Sequence, residues 1–167
     1  MTVPDDLLGR RGIDSPAAME ELGRRLGAGL VAGDLVVLTG ALGAGKTTLT
    51  RGLAESLGVR GRIQSPTFVI ARTHPSLADG PALVHVDAYR LGSPAELDDL
   101  DLDLDHAVTV VEWGRGFVEG LREHWWEVEI ERETGGRGAE TSGGPPRRAQ
   151  EELEADDPRV VTIRRRP

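Results

Sequence analysis

Eight consecutive residues, Gly40-Ala41-Leu42-Gly43-Ala44-Gly45-Lys46-Thr47, place glycines, one ammonium and one hydroxyl at the spacing G-x-x-x-x-G-K-[ST]. Glycines so spaced let the backbone curl until successive N–H groups face one concavity, and a helix opening at Lys46 adds the positive end of its dipole. Such a loop binds phosphate. Lys46 suits the β- and γ-phosphates of a nucleotide as a compact, mobile charge, and the Thr47 hydroxyl suits Mg²⁺. Leu42, Gly43, Ala44, Gly45, Lys46, Thr47 and Thr48 are the cradle residues. The chain has 22 Gly and a single Lys against nineteen Arg. At those frequencies the number of chance matches is on the order of 0.002. The one Lys stands where a planar guanidinium would not serve.

A phosphate loop also needs a carboxylate at the end of a neighbouring strand, to hold the Mg²⁺ shell or a water. Two apolar runs end in one, Leu83-Val84-His85-Val86-Asp87 and Val108-Thr109-Val110-Val111-Glu112. Spacing does not rank them; both Asp87 and Glu112 are assigned, one to Mg²⁺ and the other to the attacking water or the γ-phosphate. His85 shares a strand face with Asp87 and is either a hydrogen-bonded half-buried residue or a catalytic one. Ser65 and Thr67 flank Pro66, which fits a γ-phosphate sensor and equally the plain start of a strand. Tyr89 and Arg90 could act on phosphate or on a partner, and Trp113 could cover a nucleotide or fill core space.

The elements that must position these residues are legible around them. The run Leu35-Val36-Val37-Leu38-Thr39 reads as a strand buried on both faces, feeding the loop. Beyond it, Leu49, Leu53 and Leu57 recur at helical spacing and Gly58 supplies the stop. After an irregular start, Ser15 and Pro16 are an N-cap and a first-turn proline for a helix over residues 16–30. Residues 67–72 and 82–87 read as a hairpin, and Ser93-Pro94-Ala95-Glu96 has capping-box spacing for a short helix. Residues 100–105 alternate Leu and Asp, which reads as an exposed loop or charge-guarded edge strand in preference to a metal or partner site. A buried strand over 108–112, a helical turn over 117–121, and strands over 125–131 and 159–163 complete the pattern.

Between those last two strands, residues 135–158 contain one large aliphatic side chain in 24 residues. A segment so polar buries too little to offset its ordering entropy, so it is expected as an unstructured loop insertion within one domain spanning 1–167. An acidic recognition arm is the functional alternative. Its six acidic and three basic residues account for −3 of the net charge of −8, leaving −5 for the rest. That balance argues against a chain that wraps nucleic acid or coats anionic lipid unaided. The absence of Cys excludes disulfides, thiolate metal sites and a Cys nucleophile. With no basic-then-apolar start and no run of about 18 apolar residues, the chain reads as soluble and cytoplasmic.

Taken together, GALGAGKTT (40–48), SPTFVI (65–70), HVDAYRL (85–91) and EWG (112–114) occur in an order and spacing that resemble the small bacterial P-loop ATPases of the TsaE (YjeE) family. The resemblance runs from about residue 15 to 130. It implies a P-loop NTPase-type α/β domain, three-layer α/β/α with a mixed central sheet. It also implies an ATPase of the machinery that places threonylcarbamoyl on an adenosine of tRNA, working with the TsaD and TsaB proteins and meeting tRNA through that complex. On the same ground Lys46 and its loop bind ATP, Thr47 and Glu112 are the Mg²⁺-associated residues, Asp87 serves hydrolysis, and Ser65 and Thr67 form a switch-like segment. The chain departs from the family pattern in the polar segment and at Gly114, where proline is common.

Other classes are weaker. A small-molecule kinase needs an acceptor pocket and a lid carrying Arg residues, for which Arg72, Arg90 and Arg115 are scattered candidates. A guanine-nucleotide switch reads its base with an Asn/Thr-Lys-x-Asp motif, impossible here because the only Lys is in the loop. A binding module without catalysis would not need Lys46, Thr47 and Glu112 intact.

Overall fold

In the computed structural model, which describes residues 2–64, 70–132 and 158–167, the site is carried by two helices and a seven-stranded sheet. Helix α1 (Pro16–Gly29) starts where the sequence places it, with the Ser15 side chain accepting from the Ala18 N–H at 3.1 Å. Helix α2 (Lys46–Leu57) follows the phosphate loop and ends at Gly58, whose φ of 64° is left-handed. The two helices pack backbone to backbone. A Cβ added at Gly23 would lie 2.1 Å from the Leu49 carbonyl oxygen, and one at Gly52 1.9 Å from that of Glu20.

The strands are β1 (Gly9–Ile13), β2 (Leu35–Gly40), β3 (Ala71–His74), β4 (Ala82–Asp87), β5 (Ala107–Glu112), β6 (Trp125–Arg132) and β7 (Arg159–Arg166). Their order across the sheet is β1-β7-β6-β2-β5-β4-β3. Pairs β2/β5, β2/β6 and β4/β5 are parallel, while β6/β7, β1/β7 and β3/β4 are antiparallel, so the sheet is mixed. Residues alternate across it. Val36 and Leu38 of β2 join Met19, Leu26, Leu49 and Leu53 in the core under α1 and α2. Leu35 and Val37 face the other way, against Val84, Val86, Leu97 and Val118. Leu97 belongs to the short helix α3 (Pro94–Asp98), which with residues 113–121 covers the second face and makes the arrangement three-layered.

Several local expectations need correction. The start is not irregular: β1 pairs with β7 along its whole length, although Gly-Arg-Arg-Gly-Ile shows a single apolar residue. The hairpin exists, with β3 as its first strand running on to His74 rather than ending at Arg72; residues 67–69 of the expected strand lie outside the described residues. At α3 the Ser93 side chain makes no capping bond. The Glu96 carboxylate accepts instead from the Gly92 N–H at 2.7 Å, one residue earlier than a capping box would have it. Residues 117–121 form turns closed by Phe117 N–H to the Gly114 carbonyl and Leu121 N–H to that of Val118. The Leu/Asp alternation, by contrast, is the expected exposed loop, with acidic residues 101, 103 and 105 at the surface. The expected loop insertion falls, but for Pro158, outside the described residues. No helix among those described is long and apolar enough to cross a membrane.

Candidate phosphate-binding site

Three strands end together. Register pairs Leu38 of β2 with Glu112 of β5, and Asp87 of β4 with the same Glu112, so the loop after β2 opens beside both carboxylates. The crevice outside the carboxyl ends of parallel strands is where open α/β sheets bind ligands.

Within the loop, Gly43 and Gly45 have φ of 74° and 113°, values that side chains with a Cβ rarely tolerate. The Ala44 N–H closes a turn onto the Ala41 carbonyl at 3.0 Å. Gly40 lets the loop lie against β6, since a Cβ there would come within 2.7 Å of the Ile130 carbonyl oxygen. Leu42, at the tip, is 82% exposed. Lys46 is only 5% exposed; its Nζ donates to the Gly40 and Ala41 carbonyls at 2.7 and 3.0 Å and sits 4.3 Å from the centre of the Trp113 ring. Burial lowers its pKa from the ordinary lysine value, opposed by the negative charges of Glu112 and Asp87. The ammonium is therefore poised among weak partners that a phosphate, with full negative charge, would outcompete.

Glu112 is buried and accepts from His85 Nε2 at 2.9 Å, while His85 Nδ1 is buried with no hydrogen-bond partner. Asp87 is half-buried at the mouth, with Oδ1 accepting from the Tyr89 N–H at 2.9 Å. Trp113, directly after β5, has a left-handed φ of 61°, and its N–H donates to the Leu38 carbonyl, which continues the β2/β5 ladder into the site. Backbone strain in a non-glycine residue is held only where surrounding contacts over-determine it, and it concentrates at functional sites. Tyr89, 71% exposed, rests on the Trp113 ring with centroids 5.3 Å apart.

The structure thus brings Leu42 to Thr48, His85, Asp87, Tyr89, Glu112 and Trp113 to one edge of the sheet. Thr47 and Thr48 are partly exposed in the first turn of α2, and Arg90 is exposed beyond β4. Ser65 and Thr67 lie outside the described residues. Among the described residues no group of three or more His, Cys, Asp or Glu side chains could hold a metal ion. The donors the strand ends and α2 offer here are the Thr47 hydroxyl and the Glu112 and Asp87 carboxylates, the chemistry of a site in which Mg²⁺ takes one or two carboxylates and relies on phosphates for the rest. Two residues went unnoticed in the sequence, Arg132 and Arg159, whose guanidinium groups reach the carbonyls of Gly43 and Ala44. A signal for Arg159 was available, since it shares its strand face with the buried Val161 and Ile163.

Residues 13–139 match the family described as threonylcarbamoyl adenosine biosynthesis protein TsaE. The tRNA threonylcarbamoyladenosine biosynthesis protein TsaE of Streptomyces coelicolor is 66% identical over 120 residues, covering 70% of this chain and 81% of that protein. The protein of the same name in Mycobacterium tuberculosis is 53% identical over 120 residues, covering 66% and 71%. The crystal structure of a Bacillus protein, YdiB, superposes with a TM-score of 0.63 at 29% identity, covering 92% of this chain and 82% of its own.

Proposed function

The chain belongs to the TsaE family, and from that premise we propose that it is the ATP-binding and ATP-hydrolysing component of tRNA threonylcarbamoyladenosine biosynthesis, acting with TsaD and TsaB. One observation carries the ATPase reading: a glycine loop with a buried lysine opens beside two carboxylates at the ends of adjacent parallel strands. Those are the parts phosphoryl transfer to water requires.

Each residue then has a defined task. Backbone N–H groups of the loop hold the phosphates, and Lys46 exchanges the Gly40 and Ala41 carbonyls for phosphate oxygens. The Thr47 hydroxyl and Glu112 would hold Mg²⁺, with Asp87 serving the attacking water. When bound, Mg²⁺ would supply positive charge against the negative charge of the phosphates. His85 fixes the Glu112 carboxylate through Nε2, which limits its rotation. Hydrolysis can drive a cycle only if the ATP and ADP forms differ in their contacts with a partner. Ser65 and Thr67 are the residues assigned to sense the γ-phosphate, and TsaD–TsaB is the partner assigned to complete the site, so turnover by the isolated chain is slow.

The test is reconstitution. With ATP and Mg²⁺ the wild-type chain should restore multiple-turnover tRNA threonylcarbamoylation to purified TsaD–TsaB, and Lys46→Ala should not. Full restoration by Lys46→Ala would remove the nucleotide-driven reading. Failure of the wild-type chain would return the assignment to a small-molecule kinase.

A further inference from the structure

We propose that Arg159, assisted by Arg132, is a positioning residue for the phosphate loop: gripping the loop's carbonyls from behind, it sets the direction of the N–H groups that meet phosphate. The inference rests on the reading of this loop as a nucleotide site.

Arg159 opens β7 on its buried face and is 2% exposed, an environment in which a guanidinium persists only if it is well bonded. Its Nε donates to the Ala44 carbonyl at 3.1 Å and its Nη2 reaches the Gly43 carbonyl at 3.4 Å. Arg132, its register partner at the end of β6, brings Nη2 to the same Gly43 carbonyl at 3.3 Å. Two antiparallel strands thus converge two cations on two successive peptide units.

A peptide unit is planar, and its C=O and N–H point in opposite directions. Holding the Ala44 carbonyl toward β7 therefore turns the Gly45 N–H away from it, into the concavity. This plane would otherwise be soft, because Gly45 has no side chain to restrict it and occupies a φ of 113°. The Gly43 carbonyl is anchored the same way, leaving the Ala44 N–H on the side where it bonds the Ala41 carbonyl. Preorganised N–H groups bind an anion without reorganising at the moment of contact. Lysine at 159 would keep the charge but lose the rigid fork that spans adjacent carbonyls.

The experiment compares the full chain with Arg159→Lys, Arg159→Met and Arg132→Gln. It measures Kd for Mg²⁺-ATP and for inorganic pyrophosphate, the Gly45 amide resonance of the free protein, and the melting temperature. Arg159→Lys should weaken both ligands about tenfold, with the Gly45 amide displaced before any ligand is added. Arg132→Gln should weaken them about threefold, since its side chain is exposed and reaches one loop carbonyl where Arg159 reaches two. Arg159→Lys binding within about twofold of wild type, or an unmoved Gly45 amide, would overturn the inference. Should both Arg159 variants fail to fold, the exposed Arg132 decides, and unchanged affinity in Arg132→Gln overturns it. A wild-type chain that binds neither ligand refutes the nucleotide reading itself, and the inference with it.

Discussion

His85 Nε2 donates to Glu112 Oε1 across 2.9 Å, with both side chains buried between β4 and β5. Removing the donor leaves a buried carboxylate without its partner, which costs about 3 kcal/mol. His85→Phe should therefore shift the urea midpoint markedly and slow hydrolysis, whereas His85→Gln, which can still donate, should recover part of both. Equal stability of wild type and His85→Phe would show that Glu112 is held by something else.

Helix propensity and packing disagree at Gly52, and packing should win. Alanine in a helix interior is favoured over glycine by about 1 kcal/mol. Here the added Cβ would lie 1.9 Å from the Glu20 carbonyl oxygen and 2.8 Å from its carbon, so α1 and α2 must separate. Gly52→Ala is expected to destabilise by about 2–4 kcal/mol in chemical denaturation, as overpacking of a close contact does. A stabilised variant would mean that the helices stand farther apart than described.

Glu127 supplies a pH signature. Burial alone would push its carboxyl up, yet hydrogen bonds from Arg166 and Arg115 together hold it below the ordinary glutamate value of 4.5. A depressed folded pKa means that the pairing stabilises the fold above the unfolded value and is lost as pH falls through the folded one. Glu127→Gln should thus be less stable than wild type by roughly 1–2 kcal/mol at pH 7, both arginines being partly solvated. The gap should close in acid, below the ordinary glutamate range. A gap that stayed constant from pH 7 to acid would exclude the charge pairing as its source.

The phosphate loop, α1, α2 and the two strand-end carboxylates were legible in the sequence because each rests on local chemistry. Glycine spacing, capping side chains and apolar periodicity are properties of neighbouring residues. Strand β1 was not legible: one apolar residue in Gly-Arg-Arg-Gly-Ile carries no period, and its partner β7 is some 150 residues away. Glu96 bonding to Gly92 rather than Ser93 depends on how the chain enters α3, which spacing does not encode. The grip of Arg132 and Arg159 on the loop is a contact across 89 and 115 residues of sequence, formed only once β6 and β7 pair. The role of His85 fell between these cases. Its strand face was readable, but its pairing with Glu112 needed the parallel register of β4 and β5.

Equilibrium titration of Mg²⁺-ATP into wild type and Lys46→Ala reads whether Lys46 exchanges its carbonyl partners for the phosphates of ATP. The wild-type chain should bind, and the variant, folded by circular dichroism, should lose affinity by about a hundredfold or more, the worth of a charge-assisted contact in a buried site. Equal affinity of the two proteins would show that Lys46 holds no phosphate, and no binding by either would show that the loop is not a nucleotide site.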